Sequence, residues 1–269
     1  MISLIVWSKD RACQLHLLLE SIAKHAPGLF NVDILYLYSD DQYKAGYEIL
    51  QSKSWQNVNW HYQNDKFKTH TLAFVNNGSN YIAFSTDDTV IYRQSPYHID
   101  ELSHYLPKSP TECFSFRLGL NTIIQNPFTG ELQTPLSRYT KIKQMVFWNN
   151  TLYNPIHNYG YPFAMDMHVF NRSILLELLP LIEFSSSNQL ESGLFQYANR
   201  IIYMSSFVQS IAVNIPMNNL SGITAIGSKA YTVEELNSLY LEGKRISLSS
   251  FNTSIRGCHQ EFDLEFYNE

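Results

Sequence analysis

Apolar residues in the amino-terminal part of the chain follow two alternating rhythms. Nearly unbroken apolar runs at residues 2–7, 32–38 and 81–84 have the length and β-branched or aromatic content of buried strands, and Val58-Asn-Trp-His-Tyr62 reads as a short strand. Between them, Leu15, Leu18, Leu19, Ile22 and Ala23 recur at helical spacing, and residues 43–50 and 69–76 read as further helices. The first helix stops at His25-Ala-Pro-Gly28, because the proline ring and the glycine both disfavour its continuation. Strands that alternate with helices in this way predict an α/β fold, a mostly parallel, twisted sheet with helices on both faces.

The rhythm weakens further on. Residues 112–118 read as a strand, and 119–160, rich in Asn, Pro, Thr and aromatics, as loop with short strands. Residues 163–170 form a strand or strand-turn, 173–179 and 188–199 helices, and 211–216 a last strand. Residues 217–230 are small and polar without period and are expected to form a flexible lid. Thr232-Val-Glu-Glu235 then offers a capping box that opens a helix reaching about Glu242.

The strand at Tyr81 ends in Phe84-Ser-Thr-Asp-Asp-Thr-Val-Ile91, where an apolar run gives way to the paired acids Asp87 and Asp88. In an open α/β sheet ligands sit outside the carboxyl ends of the strands, so carboxylates placed there face a pocket. Hard divalent cations, Mn²⁺ or Mg²⁺, take oxygen ligands from one or two carboxylates and complete their shell with substrate phosphates, which implies a nucleotide-diphosphate ligand. The alternative is local: Asp also favours turns and helix starts through hydrogen bonds to nearby backbone.

Composition narrows the field. Hydrophobic residues make up 45% and charged residues 16%, which describes a globular chain, and no apolar run reaches the length of a transmembrane segment. At 269 residues a single large domain is expected, with residues 1–110 binding nucleotide, 111–216 facing an acceptor and 217–269 supplying lid and carboxyl-terminal helix. Three dispersed cysteines (Cys13, Cys113, Cys258) suit reduced thiols, and the amino terminus reads as a strand rather than a secretory leader. A cytoplasmic protein, at most peripheral to a membrane, is therefore expected. With Lys+Arg 19 against Asp+Glu 24 the formal charge is −5, and no basic run would track a nucleic-acid backbone. There is no glycine-rich dinucleotide fingerprint after the first strand and no P-loop motif.

Taken together, these residues resemble family 2 glycosyltransferases of the GT-A fold, a Rossmann-like architecture. The segment Val6-Trp-Ser-Lys-Asp-Arg-Ala-Cys-Gln-Leu is similar to the family's first strand and nucleotide-facing turn. Phe84-Ser-Thr-Asp-Asp is similar to its metal-binding segment, in the Thr-Asp-Asp variant of a bacterial spore-coat polysaccharide glycosyltransferase. Thr86 stands where a strict Asp-x-Asp would have its first acid, which makes Asp88 the first choice of metal ligand and Asp87 a ligand or a ribose contact. The resemblance implies donor contacts at Ser8, Asp10, Ser39 and Asp40, although Asp10 and Asp40 could equally serve a helix cap or a solvated strand end.

Gly160-Tyr-Pro-Phe-Ala-Met-Asp-Met-His-Val-Phe resembles the family's acceptor-side strand, and extended backbone there would put Asp166 and His168 on one face, facing the acceptor or bonded to each other. The family's general base lies on the following helix, which makes Glu191 the first candidate, or an exposed helix acid, and Asp166 the second. Near the end, Arg256 is implied as a diphosphate contact and His259 as a metal ligand, with a structural histidine as the alternative; Arg117 lines the donor site or pairs with a carboxylate. Trp148, Tyr159 and Tyr161 would suit sugar stacking. The resemblance thus implies a metal-dependent inverting transferase that moves a sugar from a nucleotide-diphosphate donor, a UDP-sugar foremost, to a carbohydrate or lipid-linked acceptor. A non-catalytic carbohydrate-binding or scaffold protein on the same fold is the other reading.

Overall fold

A computed structural model of the chain describes residues 1–122, 135–215, 218, 231–251, 255, 257–260 and 262–269. The first half alternates strands and helices: β1 (Ile2–Lys9), α1 (Ala12–His25), β2 (Phe30–Leu37), α2 (Asp41–Gln51), β3 (Val58–Tyr62), α3 (Phe67–Asn77) and β4 (Tyr81–Thr86). After these come β5 (Thr89–Ile91), α4 (Ile99–Leu102), β6 (Glu112–Ser115), β7 (Thr140–Ile142) and β8 (Met145–Asn149). The remainder comprises β9 (His168–Asn171), α5 (Arg172–Leu178), α6 (Ser187–Phe195), β10 (Tyr203–Phe207), β11 (Ala212–Asn214), α7 (Val233–Leu241), β12 (Lys244–Ile246) and β13 (Phe266–Asn268).

The main sheet has nine strands in the order β3-β2-β1-β4-β9-β6-β10-β8-β7. β9 and β8 run against the other strands, so the sheet is mixed and mostly parallel. Period-two alternation sorts side chains to its two faces. Ile2, Leu4 and Val6 of β1 and Ala83 of β4 join one apolar core, with Leu15 and Leu18 of α1 and Leu236 of α7. Ile5, Trp7, Ile82 and Phe84 join the other, with Val75 of α3, Leu175 of α5 and Leu190 of α6. Helices thus cover both faces, and β1 can be apolar at nearly every position because neither face meets water.

The region expected as a strand over 163–170 is shorter. Only β9 is strand, and the preceding Met165–Met167 stretch bends, with Met167 left-handed at φ 58°. Met167 still bridges its neighbours, its N–H donating to the Phe84 carbonyl at 2.8 Å and its carbonyl accepting from Phe116 N–H at 3.0 Å. The bend separates Asp166 from His168, so they do not share a strand face. The expected strand at 211–216 is β11, which pairs antiparallel with β5 outside the main sheet. The helix expected over 188–199 ends at Phe195, with a short 3-10 turn at Ala198–Arg200. The capping box at Thr232 and Glu235 is present as expected. The expected lid at 217–230 lies outside the described residues, Asn218 excepted.

Candidate active site

Four parts of the fold deliver polar side chains to one end of the sheet. β1, β4 and β6 end there at their carboxyl termini, and because β9 runs the opposite way, the turn that feeds its amino end, carrying Asp166, arrives at the same place. Asn214 of β11 faces it from the side, next to Thr89 of β5.

At the end of β1, Asp10 adopts a left-handed φ of 59°, which a short Asp side chain tolerates better than most. Its Oδ1 accepts the Ser39 N–H at 2.7 Å and so fastens the turn after β1 to the end of β2. Ser8 Oγ lies 2.6 Å from the Tyr47 hydroxyl and also hydrogen-bonds Asp87. Asp40 is the N-cap of α2, accepting Gln42 N–H at 2.9 Å and Tyr43 N–H at 3.3 Å, so the local alternative for this residue describes its contacts.

Asp87 and Asp88 share a cation that the sequence did not suggest. Arg11 Nη1 lies 3.2 Å from Asp87 Oδ1 and 3.4 Å from Asp88 Oδ2. Burial pushes the Asp87 carboxyl up to about 6, against the lowering pull of Arg11. Asp88 Oδ1 accepts from Asn214 Nδ2 at 2.9 Å and lies 2.7 Å from Thr86 Oγ1, which is also 2.9 Å from Asp166 Oδ1. A hydroxyl has one proton, so only one of these two carboxylates receives it; the other meets an oxygen lone pair. A further proton or a cation would relieve that contact.

Across the site, Arg117 Nη1 lies 3.2 Å from Asp166 Oδ2 and 3.1 Å from His259 Nε2. His259 Nδ1 lies 3.1 Å from Asn214 Oδ1. These contacts assign the tautomer: Nδ1–H donates to Asn214 and Nε2 accepts from Arg117. Burial, with the Arg117 charge, lowers the imidazole to about 3 and keeps it neutral. Both ring nitrogens are engaged, so His259 holds Arg117 and Asn214 in place here. Arg117 does pair with a carboxylate, as the alternative reading had it, at this end of the sheet.

Glu191 lies on α6, and burial followed by the Asp166 charge pushes its carboxyl up to about 7, while Arg117 and a hydrogen bond from Tyr161 pull it down. The Tyr161 ring stacks on Phe195 at a centroid distance of 5.2 Å. The stacking role expected of Trp148 and Tyr159 does not hold: they are 3% and 2% exposed, and Trp148 Nε1 donates to the Tyr159 carbonyl at 2.8 Å. His168 is a core residue whose Nδ1 bonds the Pro162 carbonyl at 2.9 Å, so the expected bond to Asp166 is not made. Arg256 lies outside the described residues.

Asn214 and Arg11 escaped the sequence reading. A polar Asn inside Ile211-Ala-Val-Asn-Ile was the signal for the first. Arg11 left almost none, since a basic residue before a helix resembles ordinary surface polarity. Among the described residues no three His, Cys, Asp or Glu side chains are grouped to hold a metal ion. A hard cation that borrows phosphate oxygens needs no such group: the carboxylates of Asp87 and Asp88 are oxygen donors of the kind it takes, and the unrelieved contact of Asp88 and Asp166 at Thr86 is one that a cation would ease.

No protein-family model matches the chain. Over 63% of its length it is 25% identical to the bifunctional glycosyltransferase pgtA of Dictyostelium discoideum. It spans 24% of that curated relative. Among solved structures it is similar to S. aureus TarS 1–349 in complex with UDP (TM-score 0.47, 14% identity, 90% of this chain and 65% of that one). It is also similar to the mannosyltransferase PcManGT of Pyrobaculum calidifontis in complex with GDP-Man and Mn²⁺ (TM-score 0.37, 13% identity, 70% and 50%). No described helix is long and apolar enough to cross a membrane.

Proposed function

We propose that the chain is a family 2-like glycosyltransferase of the GT-A type, which transfers a sugar with inversion from a nucleotide-diphosphate donor, a UDP-sugar foremost, to a carbohydrate or lipid-linked hydroxyl. The observation that carries this reading is the convergence of Asp87 and Asp88, the first buried and the second partly so, with Asp166, Arg117 and a Glu191 carboxyl raised to about 7 at the carboxyl ends of β1, β4 and β6. The similarity to pgtA supports the transferase class. In this reading residues 1–110 hold the nucleotide and 111–216 face the acceptor.

A divalent cation, Mn²⁺ or Mg²⁺, when bound by Asp88 and Asp87 would neutralise charge on the departing diphosphate. The turn of Ser8 and Asp10, with Asp40 beyond it, offers polar groups to base and ribose. Glu191, as carboxylate, takes the proton of the acceptor hydroxyl while that oxygen bonds to the anomeric carbon and the bond to the diphosphate oxygen breaks on the opposite side. With its carboxyl at about 7, Glu191 is ionised in a large fraction of molecules at neutral pH and still basic enough to accept a proton. Asp166, held by Arg117 and Thr86, raises the Glu191 carboxyl and so sustains its basicity.

A panel of UDP- and GDP-sugars incubated with the protein and Mn²⁺, assayed for released nucleotide and for free or transferred sugar, tests the proposal. Release from a UDP-sugar, lost in Glu191→Gln, is expected. Nucleotide binding without turnover of any donor would point instead to the carbohydrate-binding or scaffold reading.

A further inference from the structure

Arg11 is held at its backbone, and its guanidinium meets the acid pair. Its N–H meets the Tyr47 hydroxyl at 3.2 Å, and its carbonyl accepts from Leu15 N–H at 3.0 Å in the first turn of α1. The side chain is 9% exposed, and one guanidinium edge reaches Asp87 and Asp88, while Nη2 donates to the Asn218 carbonyl. Nε is buried with no hydrogen-bond partner among the described residues. A guanidinium buried with a donor unused is incompletely satisfied, and its planar fork suits two oxygens of a phosphate at once.

The carboxylate oxygens that Arg11 faces are those a divalent cation would need. A fixed positive charge within 3.2 and 3.4 Å of them opposes the arrival of a second cation. The same guanidinium, while engaged by two carboxylates, is withheld from an incoming anion. Neither ligand alone resolves this conflict. Both together do: the cation takes the carboxylates, and the released guanidinium takes phosphate oxygens.

Building on the donor site proposed above, we infer that Arg11 is a partner-exchanging counter-ion, which offsets part of the charge of Asp87 and Asp88 in the absence of donor and moves to the donor diphosphate when a divalent cation claims those carboxylates. No bond is made or broken in the exchange: the acid pair trades the single charge of Arg11 for the double charge of the cation, and the charge of the guanidinium passes to the diphosphate. Arg11 thereby couples the two ligands, each raising the other's affinity. A guanidinium that is merely a fixed structural counter-ion would produce no such coupling.

Mn²⁺ binding to the full chain, followed through the paramagnetic resonance signal of free Mn²⁺ with and without UDP, distinguishes these cases. Arg11→Gln removes the competitor, so Mn²⁺ alone should bind about tenfold tighter than to the wild type. The gain in Mn²⁺ affinity that UDP confers should be large in the wild type and reduced in Arg11→Gln to the part that direct contact between the cation and phosphate oxygens supplies. Arg11→Lys keeps the charge but not the fork; it should show a smaller change in the same direction, and it serves as the decisive variant if circular dichroism shows Arg11→Gln unfolded. Unchanged or weaker Mn²⁺ binding in the folded variants, or full retention of the UDP effect, overturns the exchange while leaving the donor site standing. Failure of the wild type to bind Mn²⁺ even with UDP overturns the donor-site reading and the exchange with it.

Discussion

At the scale of single residues, the chemistry rests on moving carboxyl groups away from their behaviour in water. Glu191 is raised to about 7 chiefly by burial, so a step that needs its carboxylate should slow as pH falls through about 7. Tyr161 hydrogen-bonds the ionised form and lowers that value, so Tyr161→Phe should shift the acid limb of the kcat profile upward in pH; an unmoved limb would separate Tyr161 from the base. Glu191→Gln should cost roughly 10²- to 10⁴-fold in kcat with the donor's affinity nearly intact, because a base acts on the acceptor. If Asp166→Asn alone abolishes turnover, the base is Asp166. The acid pair was legible because two carboxylates closing an apolar run are conspicuous. Arg11 was not, since the partner of a long side chain is set by a tertiary contact far along the chain.

At the scale of elements, what could be read in advance tracks how strongly each segment is periodic. β1, α1, β2 and β4 announced themselves through burial on both sheet faces, and the Thr232/Glu235 cap through two residues at fixed spacing. β10 went unread because it carries Ser205 and Ser206, polar side chains that the sheet nevertheless buries. β9 was overextended because the left-handed turn at Met167 is set by bridging two strands and not by any local residue preference. Past β6, Gly119 permits a close backbone approach. A Cβ there would stand 2.4 Å from Ser210 N, and the Gly119 carbonyl accepts the Tyr159 hydroxyl at 2.9 Å. Gly119→Ala should therefore destabilise the chain by about 1–3 kcal/mol, measured by urea unfolding, and should weaken turnover through Arg117 two residues away; a neutral effect would mean that the loop yields freely.

At the scale of the whole molecule, burial of titratable groups in the core and at the site shapes the response to acid. His16, His168 and His259 are held neutral at about 4, 3 and 3, so each loses its contribution to stability as pH drops below the ordinary 6.5. Asp87 and Glu191, raised to about 6 and about 7, act in reverse and destabilise as pH climbs from the ordinary carboxyl range to those values. Three histidines outweigh two carboxyls between pH 6.5 and 5, so the denaturation midpoint should be lower at pH 5 than at pH 7, and the opposite trend would contradict the assigned charge states. The most direct test of the central claim is calorimetric titration of UDP into the protein with Mn²⁺ and with excess chelator, for the wild type and Asp88→Asn. Binding that requires Mn²⁺ in the wild type, and loses that requirement or disappears in Asp88→Asn, is the predicted result; equal UDP affinity in Mn²⁺ and chelator, or no binding in either, would contradict a metal-assisted donor site at the end of β4.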